Sequence, residues 1–412
     1  MGIQYKDSGF EWIGRIPDSW DVDIAKHVFK QRRDKGNEEC QLLAATQKYG
    51  MYPQHLLEGV VKVAADTDLR QFKTVHKNDY VISLRSFQGG FEMSDYEGVC
   101  SPAYQVFYAI RQIYSQYYKY LFKSEAFIQE INSLTVGIRE GKNILYDDFA
   151  LLAIPIPTAS DQQRIADYLD EKCGEIDSLI GLQEQMIEKL KAYKQSVITE
   201  AVTKGFNPNV KLVPSGIDWI GAIPEGWEVC RFKSYIHLHN EKGSDAAQVK
   251  VNLENIESKS GRFIPTDSKY EGEGTSFKKG DVLFGKLRPY LAKVLAPDFE
   301  GSAIGDIYVF RPASKIDTNF LKYTLLADTF VTIVDSSTYG TKMPRANWEF
   351  ISCVPIVVPP LSDQRLISMS LDKKCSEIDK LIDVKQLKIE KLKDYKKSII
   401  YEAVTGKINI DS

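Results

Sequence analysis

The apolar positions of residues 160–203 recur at alternating spacings of three and four. Written as heptads, one seam holds Ala166, Cys173, Ile180, Ile187, Lys194 and Ala201, and the other holds Leu169, Ile176, Gln183, Leu190 and Val197. A 3.5-residue apolar repeat kept up over about six heptads predicts a long helix that pairs with another helix. The same register returns near the C-terminus, with Cys375, Ile382, Ile389, Lys396 and Ala403 on one seam and Leu371, Ile378, Lys385, Leu392 and Ile399 on the other. At 1.5 Å per residue each helix would run about 60 Å. Ser160 with Gln163 is expected to cap the first helix and Ser362 with Asp363 the second, more weakly. Gly205 and Gly406 stand where the helices should stop.

These two segments are a repeat. Residues 161–203 and 363–405 align without a gap, and 25 of the 43 positions are identical. A second repeated string comes well before each helix, WIGRIPDSW from Trp12 to Trp20 and WIGAIPEGW from Trp219 to Trp227. The order is therefore globular head, helix, globular head, helix, with boundaries at 1–159, 160–205, 206–361 and 362–412. Between the shared strings the two heads look unrelated. Each reads as mixed α/β (α+β) with many short strands. DYVISLRSF and AYQVFYAI alternate or run apolar in the first head, as do GDVLFGKLRPYLAKVLA and AIGDIYVFRP in the second. Both heads end in an apolar, proline-bearing stretch, LLAIPIPTAS and CVPIVVPPLS, which would be a final strand leading into the helix.

The cheapest way to bury both helix seams is against each other within one chain. An internal pseudo-two-fold would make that intramolecular coiled coil antiparallel. The polar breaks Gln183 and Lys385 would then meet and fix register, and Cys173 and Cys375 would lie roughly 30 Å apart, too far to bond.

Composition narrows the function. The chain has 412 residues, 43% apolar and 26% charged, and contains no run of 18 apolar residues and no signal-peptide pattern, so a cytoplasmic protein is expected. Six scattered cysteines include no CxxC pair, and five dispersed histidines include only one close pair, His237 and His239, so no metal site is expected. Net charge is −3, with 18 basic and 20 acidic residues in 1–160 and 18 of each in 206–360. Nucleic-acid binding would therefore have to rest on local clusters. No phosphate-binding loop is present, and NPNV at Asn207 to Val210 lacks what an adenine-methyltransferase motif needs. No catalytic residue is assigned.

The clusters lie in loops. In the first head they are Gln47, Lys48 and Tyr49, then Arg85, Ser86 and Gln88, then Arg139 and Lys142. In the second they are Lys286, Arg288 and Tyr290, then Thr341, Lys342 and Arg345. Arginine and lysine pair with phosphate or the guanine edge, and glutamine with adenine, so this mixture suits DNA. A solvated turn is the plain alternative for each. A two-headed protein-binding scaffold is the rival function, and an enzyme with two unrecognised sites a third.

Nearly end to end, the chain resembles the specificity subunit of bacterial type I restriction–modification enzymes. The resemblance is carried by YKDSGFEWIGRIPDSW, PSGIDWIGAIPEGW, SLRSFQGGF, GDVLFGKLRPYL and EAVTGKI in their duplicated order. It implies two target recognition domains, each reading one half of a split, asymmetric site on double-stranded DNA. The helix pair would act as spacer and as docking surface for two modification (methyltransferase) subunits, which recruit restriction (motor–nuclease) subunits. Catalysis, with S-adenosylmethionine, ATP and Mg, would then belong to the partners, and this chain would hold no cofactor.

Overall fold

The computed structural model describes residues 4–36, 40–58, 68–83, 90–133, 144–243, 249–268, 270, 272–338 and 343–410. It divides into two compact units, one made of Met1–Leu182 with Leu387–Ser412 and the other of Gln183–Gln386.

The first unit is built on a four-stranded antiparallel sheet in the spatial order Phe29–Arg32, Gln105–Ala109, Tyr80–Ile82, Phe91–Met93. Tyr80, Val81 and Ile82 are all buried because both faces of the sheet are covered. Tyr80 and Ile82 point into an aromatic core with Phe29, Phe91, Phe107 and Phe122. Val81 and Val106 point the other way, onto Leu43, Met51, Val75 and Cys100. Side chains that alternate between two buried faces explain why the sequence here reads as an unbroken apolar run. Several of the aromatic rings meet edge to face, Phe29 against Phe107 at 5.5 Å and Tyr80 against Phe122 at 5.3 Å, a geometry that ring quadrupoles favour. The final strand, Ala153–Ile156, pairs with Asp21–Ile24 and delivers the chain to the first long helix.

The second unit contains the same sheet. Its order is Ile236–His239, Ile307–Pro312, Val282–Gly285, Val294–Leu295, and Pro355–Val358 pairs with Glu228–Arg231 before the second long helix. Val282 and Phe284 face one core and Leu283 the other. The two heads, unlike in sequence between their shared strings, thus share one four-stranded sheet topology, while their second sheets differ. One carboxylate marks the equivalence. Asp79 and Asp281 each accept a backbone N–H three residues back, from His76 at 2.8 Å and Lys278 at 3.0 Å, just before the same strand. Each also holds an arginine in two hydrogen bonds, Arg32 at 2.7 and 3.1 Å and Arg311 at 2.8 Å twice. The arginines come from different strands, so a linear comparison of the heads cannot align them.

The long helices run over Ala159–Lys204 and Leu361–Val404. Their starts differ from the expected caps. Thr158, not Ser160, accepts the Asp161 N–H at 3.2 Å, because the helix begins at Ala159, two residues earlier than a Ser160 cap requires. At the second start the Asp363 and Gln364 N–H groups bond the Pro360 carbonyl at 2.9 and 3.0 Å, leaving Ser362 outside the cap. Gly205 and Gly406 end the helices with φ of +74° and +71°. At Gly406 the glycine is obligatory, since a Cβ there would lie 2.5 Å from Pro17 Cδ.

In each unit the helices pair antiparallel. Within the second unit Lys385 Nζ donates to Gln183 Oε1 at 3.3 Å, and Lys194 Nζ bonds both oxygens of Asp379 at 2.8 Å. Within the first, Lys396 bonds both oxygens of Asp177 at 2.7 Å, while Ala166, Leu169, Cys173 and Ile176 share a core with Ile399, Ile400, Ala403 and Val404. Lys194 and Lys396 occupy the same repeat position, as do Asp177 and Asp379. One ion pair is therefore written twice, each lysine interrupting its apolar seam to reach the opposite helix. The helix ends also close the heads. Tyr117 Oη donates to the Val404 carbonyl at 2.7 Å in the first unit. In the second, Ile198, Ala201 and Val202 pack into the core beside Ile367 and Leu371. Cys173 and Cys375 are both free thiols.

Candidate nucleic-acid interface

Gln47, Lys48 and Tyr49 form the exposed tip of a hairpin whose strands are Leu43–Thr46 and Gly50–Pro53. Thr46 sets the turn, accepting the Tyr49 N–H at 2.9 Å and donating to the Gly50 carbonyl at 3.0 Å. Gly50 completes it at φ +67°, where a Cβ would stand 2.4 Å from the Met93 carbonyl oxygen. Lys48 Nζ sits 4.9 Å from the Tyr49 ring centroid. The Tyr49 hydroxyl raises the Lys48 pKa above the ordinary amine value. Tyr49 packs on Tyr52 at 5.1 Å, and Tyr52 on Tyr96 at 5.4 Å. The tip is thus a cation on an aromatic ladder, and Tyr52 and Tyr96 are members that the loop-by-loop sequence reading missed. Residues 49 and 52 are three apart, so strand alternation gives no signal for the pair; the turn at residues 47–49 brings the rings together.

In the second head the structure brings separate sequence clusters together. The loop after Val282–Gly285 and the segment before the short helix Trp348–Ile351 cross, bridged between Leu287 and Arg345. The Arg288 N–H donates to the Pro344 carbonyl and the Ala346 N–H to the Lys286 carbonyl, both at 2.8 Å. Arg288 adopts φ +51° and ψ +66°, a left-handed conformation that a non-glycine residue holds only when its surroundings impose it. Lys286, Arg288, Tyr290 and Arg345 therefore belong to one surface. Arg288 and Tyr290 are exposed, and Lys286 lies half-buried with Nζ 4.7 Å from the Tyr308 ring centroid. Burial pulls the Lys286 pKa below the usual amine value, Asp306 opposes that shift, and Arg345 adds to it. Arg345 is ion-paired to Asp306 at 3.0 Å. Tyr308 ties the crossing to the sheet, donating to the Ala346 carbonyl at 3.2 Å and accepting the Trp348 N–H at 3.1 Å. Asp306 and Tyr308 were not singled out in the sequence, because nothing in IGDIYVF marks their partners 38 to 40 residues on.

Arg85, Ser86, Gln88, Arg139, Lys142, Thr341 and Lys342 lie outside the described residues. Among the described residues no group of His, Cys, Asp or Glu side chains could hold a metal ion, and no helix is long and apolar enough to cross a membrane. His239 of the histidine pair is buried beside Ser276, with Nε2 and Oγ 2.9 Å apart.

Two heads built on one four-stranded sheet topology, with unlike basic and aromatic loops and a duplicated helix frame, make this a tandem two-headed protein. The chain belongs to the type I restriction–modification DNA specificity family, whose sequence model matches it twice, at residues 23–192 and 224–394. It is similar to the type I restriction enzyme EcoDI specificity subunit of Escherichia coli, with 26% identity over 79% of this chain and 77% of that protein. It is also similar to the MjaVIII specificity subunit of Methanocaldococcus jannaschii, with 24% identity over 98% and 97%. Among solved structures, the fold matches a chain from a study of assembly and conformational transition in the type I restriction–modification system. That match has a TM-score of 0.71 and 14% identity, covering 95% of this chain and 99% of that one. The HsdS subunit of Thermoanaerobacter tengcongensis matches with a TM-score of 0.52 and 15% identity, over 95% and 98%. This is a specificity subunit with two tandem recognition domains.

Proposed function

We propose that residues 1–159 and 206–361 each read one half of a split, asymmetric DNA site, and that the helix pair formed by residues 160–205 and 362–412 sets the spacing. The observation that carries this reading is the reuse of one sheet topology to present two chemically different loop sets. Lys48 with Tyr49 in the first head, and Lys286, Arg288, Tyr290 and Arg345 in the second, are the contacts we assign. Gln47, Arg85, Ser86, Gln88, Arg139, Lys142, Thr341 and Lys342 complete the assignment from sequence.

The chain itself is non-catalytic in this reading and acts in the cytoplasm. S-adenosylmethionine, ATP and Mg belong to partner subunits. Leu179, Leu182 and Tyr193 of the first long helix are exposed, and so are their repeat counterparts Leu381, Val384 and Tyr395 of the second. Exposed apolar residues at equivalent repeat positions fit two copies of one partner, the modification subunit, through which restriction subunits join. Net charge of −3 leaves this chain short of phosphate-neutralising charge, so a partner must supply much of it. Fluorescence anisotropy at one fixed salt concentration tests this. Adding the modification subunit should tighten DNA binding at least about tenfold. Equal affinity and selectivity without it would overturn the division of labour.

A further inference from the structure

The second head holds two exposed arginines a few ångströms of backbone apart, and the structure prepares them differently. Arg345 is fixed at both ends. Its backbone is bridged to Leu287, and the carbonyls of its two neighbours, Pro344 and Ala346, accept hydrogen bonds from the Arg288 N–H and the Tyr308 hydroxyl. Its guanidinium donates through Nη2 to Asp306 Oδ2 at 3.0 Å. Asp306 is itself anchored where strand Ile307–Pro312 begins, its carbonyl accepting the Lys286 N–H at 2.8 Å. The carboxylate is 27% exposed and the arginine 63%. One nitrogen is thus committed to an anchored partner while most of the fork faces outward. Arg288 has a fixed backbone but, among the described residues, no hydrogen bond or ion pair for its guanidinium.

This difference matters because the two kinds of DNA contact ask for different things. Guanine presents N7 and O6 as paired acceptors, and reading them needs a guanidinium held in one plane. A fork already oriented loses little conformational freedom on binding. A phosphate accepts charge from many directions and carries no sequence information. A carboxylate near a DNA-facing surface is also repelled by phosphate, and an exposed ion pair adds little to stability, so neither effect explains Asp306. We propose that Arg345 is the residue with which the second head selects a guanine, that Asp306 is its positioning residue, and that Arg288 and Lys286 grip the backbone. This rests on the DNA-recognition reading above and adds to it the base class and the assignment of roles.

The test uses the full chain reconstituted with its modification subunits, acting on a DNA library randomised across the target site, with methylated molecules sequenced. Arg345→Ala and Asp306→Ala should each lower the preference for guanine at the same single position by about tenfold or more. Asp306→Asn, which keeps an acceptor, should restore part of it. The other half-site should be read as before, and the thermal midpoint of free Asp306→Ala protein should match wild type. Arg288→Ala should depress modification of all library members alike and reduce the salt slope of binding by about one. The inference is overturned if Asp306→Ala leaves every base preference intact, or if Arg288→Ala relaxes one position while Arg345→Ala acts uniformly. If none of these variants changes binding or sequence preference, the recognition reading of this surface fails as well.

Discussion

The duplicated ion pair between the long helices gives a controlled experiment inside one molecule. Lys194–Asp379 and Lys396–Asp177 occupy the same repeat positions with nearly the same bond lengths, 2.8 and 2.7 Å. Their surroundings differ. In the first pair the lysine side chain is 8% exposed and the aspartate 17%. In the second, Asp177 is 60% exposed. Asp379 also receives Arg262 from the second head. Removing Asp379 leaves Lys194 buried without its counter-charge, a loss of about 3–5 kcal/mol for a fully buried pair. Residual exposure on the aspartate side brings the expectation for Asp379→Ala down to about 2–4 kcal/mol. Asp177→Ala leaves Lys396 partly solvated and should cost under about 1 kcal/mol. Urea denaturation followed by far-UV circular dichroism, fitted for each transition with the slope held in common, measures both. Equal losses for the two variants, or a loss under about 1 kcal/mol for Asp379→Ala, would refute the reasoning that burial, not position in the repeat, sets the strength of each pair.

Other outcomes follow from the same geometry. Gly50→Ala puts a Cβ against the immovable Met93 carbonyl at φ +67°, so it should destabilise the first unit by about 1–3 kcal/mol in thermal unfolding; a change under about 0.5 kcal/mol would mean the turn relaxes. Burial pushes the Cys100 thiol up to about 12 and the Cys173 thiol up to about 11, so both stay protonated at pH 8, whereas Cys353 is exposed. A thiol reagent should therefore label Cys353 first, and Cys353→Ser should remove that fast phase, while Cys100 and Cys173 should react only on unfolding.

The helices were legible in the sequence because heptad periodicity survives tolerance to individual substitutions, and because the repeat doubled the signal. Gln183 and Lys385 meet as their register required. Lys194 and Lys396 looked like flaws in a seam until the structure supplied Asp379 and Asp177, which lie off the seam positions. The common sheet of the heads was hidden for a different reason. Strand order depends on alternation and turns, which many residue sets satisfy, and the arginine that meets each buried aspartate changed strands between copies. At the candidate interface, Lys286, Arg288 and Arg345 could be picked out by residue type. Asp306 and Tyr308 could not, since their importance comes from partners 38 and 39 residues further along the chain.

The central claim is that two different heads read two separate half-sites on one DNA. Methylation mapping of DNA modified by the reconstituted complex tests it most directly. An asymmetric motif of two specified blocks separated by a fixed run of unspecified bases is expected. A single contiguous motif, or two identical halves, would contradict it.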